Sequence, residues 1–218
     1  EAIPNATVDL SATLASASAE PVQQVPTEQA AQQGLDHAQY TLGMIYERGM
    51  AGPVDDLEAG LWYKRAVDQG FGDAEFALGV MYYEGRGVHR DFQEAARLFR
   101  RASIKGDPVA QSSLGNMCYE GKGVPKSDKE ALTWFSKSAI QGNVKAQLHC
   151  GVMYMRGLGI PKPDLLRGFI WLTVASESGL TVANGIRDNL KAEMSEKQLR
   201  TGAQLAAQLQ QKINRKGK

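Results

Sequence analysis

The sequence predicts an all-α fold, an α/α superhelical solenoid of about four 36-residue helix-turn-helix repeats closed by a helical C-terminal cap. Three observations carry that expectation. First, shifting Asp73–Asp107 by one period superimposes Ala38, Ala74, Ala110 and Ala146, then Leu42, Leu78 and Leu114, and then Gly43, Gly79, Gly115 and Gly151. A fixed period of this length marks stacked supersecondary units, none of which buries its apolar face without a neighbour. Second, glycine pairs such as Gly85 and Gly87 follow each periodic segment, where left-handed backbone ends a helix. Third, Asp91 with Glu94 and Ser127 with Glu130 have the spacing of an N-terminal capping box, so a second helix starts after each turn.

Taken in order, Glu1 to about Pro26 is rich in Ala, Ser, Gln and Pro, and reads as an extended arm that buries little. From Thr27 the repeat pattern begins with half a unit, since Ala30 and Gly34 fall one period before Ala66 and Gly70. The expected divisions are therefore residues 1–26, 27–180 and 181–218. In each repeat a helix A presents Ala, Leu and Tyr at intervals of four, as Ala74, Leu78 and Tyr82 do, on one face. Helix B carries Ala95, Leu98, Phe99 and Ala102, matched by Ala131, Trp134, Phe135 and Ser138. Large and small residues alternate, and Gly43 and its equivalents mark close approach of A to B.

The first turn departs from the GxGV pattern at Gly49 to Pro53. The fourth departs at Ile160 to Asp164, with Arg167 in the Ala position. End repeats have one neighbour and are expected to be atypical. Beyond Gly179, Ile186, Leu190, Met194, Leu199, Leu205 and Leu209 predict two capping helices broken near Met194 to Glu196, with Ser195 and Gln198 as a further capping box.

Charge excludes little but points away from some partners. With 25 basic and 24 acidic side chains the chain has no global field for nucleic acid or an anionic membrane. Lys212, Arg215, Lys216 and Lys218 cluster at the end and read as a solvated, frayed tail. No apolar run approaches the roughly 18 residues of a membrane span.

The unit of AxxxLGxxY, GxG, a capped second helix and a closing Ala and Gly resembles the Sel-one-like repeat (SLR) family, an α/α relative of the tetratricopeptide repeat. The resemblance covers about Thr27 to Gly179, and Ile186 to Ala203 is similar to the segment that caps such arrays. It implies a protein-binding role as adaptor or scaffold. Bacterial members are commonly exported to the periplasm, and some are similar to immunity proteins that neutralise secreted toxic effectors, phospholipases among them. A periplasmic location after signal-peptide removal, with a cytoplasmic one as alternative, is thus the expectation.

The residues offer no catalytic constellation, metal site or cofactor site, so a hydrolase is the weakest reading. His37 at a helix start, His89 in a turn and His149 in a helix A lack ligand spacing. SxxK and KTG, the serine chemistry linked to cysteine-rich relatives of the repeat, are absent. Cys118 and Cys150 belong to the inward stripe of helix A as small buried residues, a disulfide being the alternative. The glycine pairs follow helices instead of strands, so helix termination accounts for them without a phosphate loop. Trp62, Trp134 and Trp171 fall on the helix B core stripe.

The partner face comes from subtracting the packing stripe of helix A. At about 100° per residue, the positions left over hold Tyr40 and Met44, then Phe76, Val80 and Tyr83, then Tyr119, and finally Leu148, Val152 and Met155. Apolar residues where solvation alone would favour polar ones predict a concave groove, bordered by Arg48, Glu84, Glu120 and Arg156, that captures a protein partner.

Overall fold

The computed structural model describes residues 24–216, and these form eleven helices with no strand among them. They are α1 (Gln24–Gln32), α2 (Asp36–Arg48), α3 (Asp56–Asp68), α4 (Gly72–Glu84), α5 (Phe92–Lys105) and α6 (Pro108–Glu120), then α7 (Asp128–Ala139), α8 (Val144–Arg156), α9 (Leu165–Glu177), α10 (Val182–Lys191) and α11 (Glu196–Lys216). The even-numbered helices α2 to α8 are the A helices and α3 to α9 the B helices of the four repeats. Two compact units are present, the described residues up to Ala74 with Arg86–Val88, and Glu75–Gly85 with the residues from His89 onward. The arm expected over residues 1–26 lies outside the described residues as far as position 23. From Gln24 the chain is already helical, and Pro26 stands in the first turn, where a missing N–H breaks no helical bond.

In the first unit Ala31, Leu42 and Trp62 make a small core with Ala38, Ile45 and Tyr46. In the second, Phe99, Leu114, Met117, Phe135 and Met153 form the main core, and Phe169, Leu172, Leu190 and Met194 form the next along the chain. Close approach of A to B rests on the glycine of each A helix. A Cβ added at Gly79 would lie 2.8 Å from two ring carbons of Phe99, and at Gly115 it would lie 2.9 Å from two of Phe135. Real Cβ contacts essentially never come this close, so the aromatic of helix B fills the space the missing side chain leaves.

The second glycine of each GxG turn has a further duty that helix termination does not cover. Gly87 has φ +63°, and a Cβ there would fall 2.0 Å from the carbonyl oxygen of Asp56 at the start of the preceding B helix. Gly123 meets the Phe92 carbonyl in the same way, also at 2.0 Å. Backbone packs on backbone there.

The capping boxes are only half realised in the repeats. Asp91 accepts from the amides of Gln93 and Glu94, and Ser127 from that of Glu130. The reciprocal bond has no donor to use, because the Asp91 amide is donated to the Tyr82 carbonyl at 2.9 Å and the Ser127 amide to that of Cys118 at 2.8 Å. Glu94 pairs with Arg97 instead. Asp55 and Asp164 make the same backbone bond, to Tyr46 and Tyr154, so each B helix is tied at its N-cap residue to the A helix before it. The Ser195–Gln198 box is complete, with Gln198 Oε1 accepting from the Ser195 amide at 2.9 Å and Ser195 Oγ accepting from the Gln198 amide.

The cap at Asp164 corrects the register of the fourth repeat. Its turn is one residue longer than the others, so Gly168 and not Arg167 takes the Ala position; Gly168 is buried and Arg167 exposed. Trp171 and Leu172 then follow Trp134 and Phe135, and Leu172 is what an added Cβ at Gly151 would strike, at 2.7 Å. At the C-terminus α11 packs on α9, with Ala206 and Ile213 buried against Val174. Leu205, expected in that core, is 40% exposed, and Gly202 lies against Phe169 instead. Helix α11 runs through Lys216, with Ile213 buried in its last turns, so Lys212 and Arg215 of the expected frayed tail are helical; Lys218 lies outside the described residues.

Candidate protein-interaction face

All nine residues expected to face a partner are half-buried. In the first unit the Tyr40 ring lies 5.2 Å from Phe71 and 5.7 Å from Tyr63, with Met44 one turn further on. Below them Tyr63 donates to Glu47 Oε2 at 2.6 Å, and Arg86 bridges Glu47 at 2.7 Å and Asp56 at 3.0 Å. Burial works to raise the Glu47 carboxyl, but the hydrogen bonds from Tyr63 and Arg86 outweigh it and hold the group below its ordinary value. Burial, and then the bond to Glu47, push the Tyr63 phenol up, so the proton stays on the phenol.

In the second unit the Phe76 ring lies 5.5 Å from Phe99, and Tyr83 meets Phe92 edge-on at 5.2 Å. Val80 and Tyr83, with Glu84, Phe99, Ser113 and Asn116, line a hollow of about 230 Å³. Tyr119 rests on the same core as Phe76 and Val80, while Leu148 and Met155 rest on the core around Leu172. Each of these side chains gives one side to the core and the other to solvent. Lys122, the residue between the two glycines of its turn, caps Tyr83, with Nζ 3.4 Å from the hydroxyl and 5.7 Å from the ring centroid, and pairs with Glu120 at 2.7 Å. Lys126 sits over Tyr119 in the same manner. Aromatic surface edged by cations is suited to holding a partner's side chains.

Two features escape a reading of the sequence alone. The residue after each helix A alanine is buried and polar: Gln39, Glu75, Gln111 and Gln147. The three glutamines each donate to a carbonyl at the end of the preceding B helix, those of Ala31, Ser103 and Ala139. Their recurrence at the repeat period is the signal that could have found them. The second feature is the middle residue of GxG, where Arg86 and Lys122 each reach back 39 residues, to Glu47 and Tyr83.

The residues weighed for chemistry take structural places. His37 and His89 are exposed; His149 is half-buried and stacked on Phe135 at 4.5 Å, and burial lowers its pKa. Cys118 and Cys150 are free thiols, fully buried, and burial pushes them up to about 11 and about 12. A thiol so shifted is a poor nucleophile at neutral pH. Trp62 is buried, while Trp134 and Trp171 are half-buried, Trp134 beneath Lys137 at 4.2 Å. No group of three or more His, Cys, Asp or Glu suited to a metal occurs among the described residues. No helix among them is long and apolar enough to cross a membrane.

Comparison with known proteins bears on the same repeats. The Sel1 repeat profile matches residues 36–71, 72–107, 108–143 and 144–180. Among curated proteins, none matches the sequence. A Sel1 repeat protein from Oxalobacter formigenes is 38% identical with a TM-score of 0.68, over 75% of this chain and 48% of its own. The protein c5321, described as a protective antigen present in uropathogenic Escherichia coli strains and displaying an SLR fold, is 29% identical with a TM-score of 0.59, over 88% of this chain and 49% of its own. The chain thus spans about half the length of these solved relatives. Four profile matches in unbroken succession, each one helix A and one helix B, place the chain in the Sel1 repeat family, whose repeats are protein-interaction modules.

Proposed function

We propose that the chain is a non-enzymatic binding module of the bacterial envelope that holds one protein partner on the A-helix face. The observation that carries this reading is the ladder of half-buried apolar side chains, seven of them in the second unit from Phe76 to Met155. Solvation alone gives no reason for aromatic and methionine residues at these turns of helix A, whereas a partner that covers them gains from the area removed from water. The envelope location follows from the family resemblance, and so does the sharper form of the role, neutralisation of a secreted toxic effector, with scaffolding as the alternative.

A photoreactive amino acid placed at Tyr83, Tyr119 or Val152, compared with the exposed B-helix positions Lys129 and Thr133, tests the face in cells. Crosslinks to one protein from the first set and none from the second support it; crosslinks only from the B helices sink it. Toxicity of the captured protein, relieved by co-expression of this chain, selects the immunity role over scaffolding.

A further inference from the structure

The fourth turn differs from the other three by its extra residue, and it opens a hollow of about 590 Å³ at Ile160 to Arg167 with Gln198 on its rim. A cavity of that size is in the range that accepts several side chains of a ligand. Its lining is apolar from Ile160, Leu165, Leu166 and the rings of Pro161 and Pro163, and cationic at Lys162 and Arg167. Arg167 is engaged, 3.4 Å from its own cap residue Asp164 and over the ring of Tyr154. Lys162 and Arg156 are exposed and form no ion pair among the described residues. The backbone brings their positions together, since a Cβ added at Gly157, next to Arg156, would lie 3.2 Å from the Lys162 carbonyl carbon. The carboxylate in the lining, Asp164, is committed to the Arg167 amide at 2.9 Å and to the Arg167 guanidinium.

We infer that this turn is a docking site for an acidic segment of the protein partner, one that seats an apolar side chain in the hollow and sets its carboxylates against Lys162 and Arg156. Charge complementarity names the occupant. A basic or neutral segment would leave both cations facing unpaired surface, and an acidic one gains association rate and specificity from them. The inference rests on the binding-module reading and adds to it a second contact, at the turn edge.

The test uses the whole chain and a short synthetic peptide in which a phenylalanine and a leucine are flanked by glutamates, with a lysine-flanked peptide as control. Fluorescence anisotropy should show saturable binding of the acidic peptide. It should weaken about tenfold in K162E with R156E, and weaken again as salt shortens the screening length. K162Q should fall between, and Lys64→Glu, on α3, should leave binding unchanged. Circular dichroism melts of the variants should match that of the parent, since both side chains are exposed. Equal binding of the lysine-flanked peptide, no saturable binding of the acidic one, or acidic binding indifferent to K162E with R156E overturns the proposal. If crosslinks from Tyr83 and Val152 persist in that case, only the docking site falls; if they too are absent, the binding-module reading falls with it.

Discussion

Lys105 Nζ lies 2.9 Å from Oε1 of the fully buried Glu75, in the place where Gln69 meets Gln39 at 2.7 Å and Gln141 meets Gln111 at 2.9 Å. Three repeats thus solve one problem, a buried polar position on helix A, by a partner 30 residues on at the C-terminal end of helix B, and the second does so with charge. Arg101 adds a second cation at 2.7 Å. In the fourth repeat the partner position holds Ser178, which reaches Gln210 instead, and Gln147 Oε1 has no hydrogen-bond partner among the described residues.

The pair predicts a coupled response to substitution. Arg101→Ala with Lys105→Ala leaves an uncompensated carboxylate in the core and should cost about 3 kcal/mol or more in urea unfolding. Glu75→Gln with Lys105→Gln recreates the arrangement of the neighbouring repeats and should be milder than Lys105→Gln alone plus Glu75→Gln alone, with a coupling of about 1 kcal/mol. Strict additivity of the two single changes would show that the two residues are not coupled.

Glycine substitutions inside helices should act with opposite sign in two places. Gly79→Ala drives a methyl into the Phe99 ring and should lower stability by about 1 to 3 kcal/mol. Gly185, in α10, has nothing within 4 Å of the methyl that alanine would add, so Gly185→Ala should raise stability by up to about 1 kcal/mol through helix propensity alone. Thermal melts of the two variants decide it: a loss at Gly185 would contradict the open space there, and no loss at Gly79 would contradict its packing on Phe99.

The periodicity makes the helices, their order and the A-to-B contact at Gly79 legible, because identical residues at one spacing are averaged over four copies. What stays hidden is local. Arg167 falls in the wrong register because a count by 36 cannot sense a single inserted residue, and only the cap at Asp164 reveals it. A leucine spacing puts Leu205 in the core, whereas α11 approaches α9 closely enough that Gly202 and Ala206 fit there and a leucine does not. The polar stripe from Gln39 to Gln147 goes unread because polarity suggests solvent, and burial of an amide becomes intelligible only with its carbonyl partner in view. For the interaction face, position on the helix is readable, but not that Phe76 leans on Phe99.

His149 predicts a dependence on pH. Burial holds its pKa below the ordinary 6.5, so the folded chain keeps the ring neutral while the unfolded chain takes up a proton as pH falls through that value. Stability should therefore be flat above about pH 6.5 and decline below it, towards the folded pKa. His149→Phe preserves the stack on Phe135 and should remove the decline between roughly pH 7 and 5.5, a window above most carboxylate titrations. A parent melting temperature that is constant over that window, or an unchanged slope in the variant, would mean that His149 is solvated in the native state.

The interaction face makes the most demanding prediction, because its residues also belong to the core. Phe76→Ala with Tyr83→Ala removes two exposed aromatic flanks, and the affinity for the protein captured at Tyr83 should fall at least tenfold, as for central aromatic anchors worth about 2 kcal/mol. The same change breaks the contacts with Phe99 and Phe92, each worth about 0.5 to 1.5 kcal/mol beyond the area buried, so the melt should also drop by a few degrees. A control must therefore lose similar stability without touching the face. Ala102→Gly serves, being buried in helix B and costing about 1 kcal/mol or somewhat more through backbone entropy and a lost methyl. With both variants held well below their melting temperatures, only the first should lose affinity. If Ala102→Gly weakens binding as much as the double substitution does, the loss follows stability, and Phe76 and Tyr83 return to the core as packing residues alone.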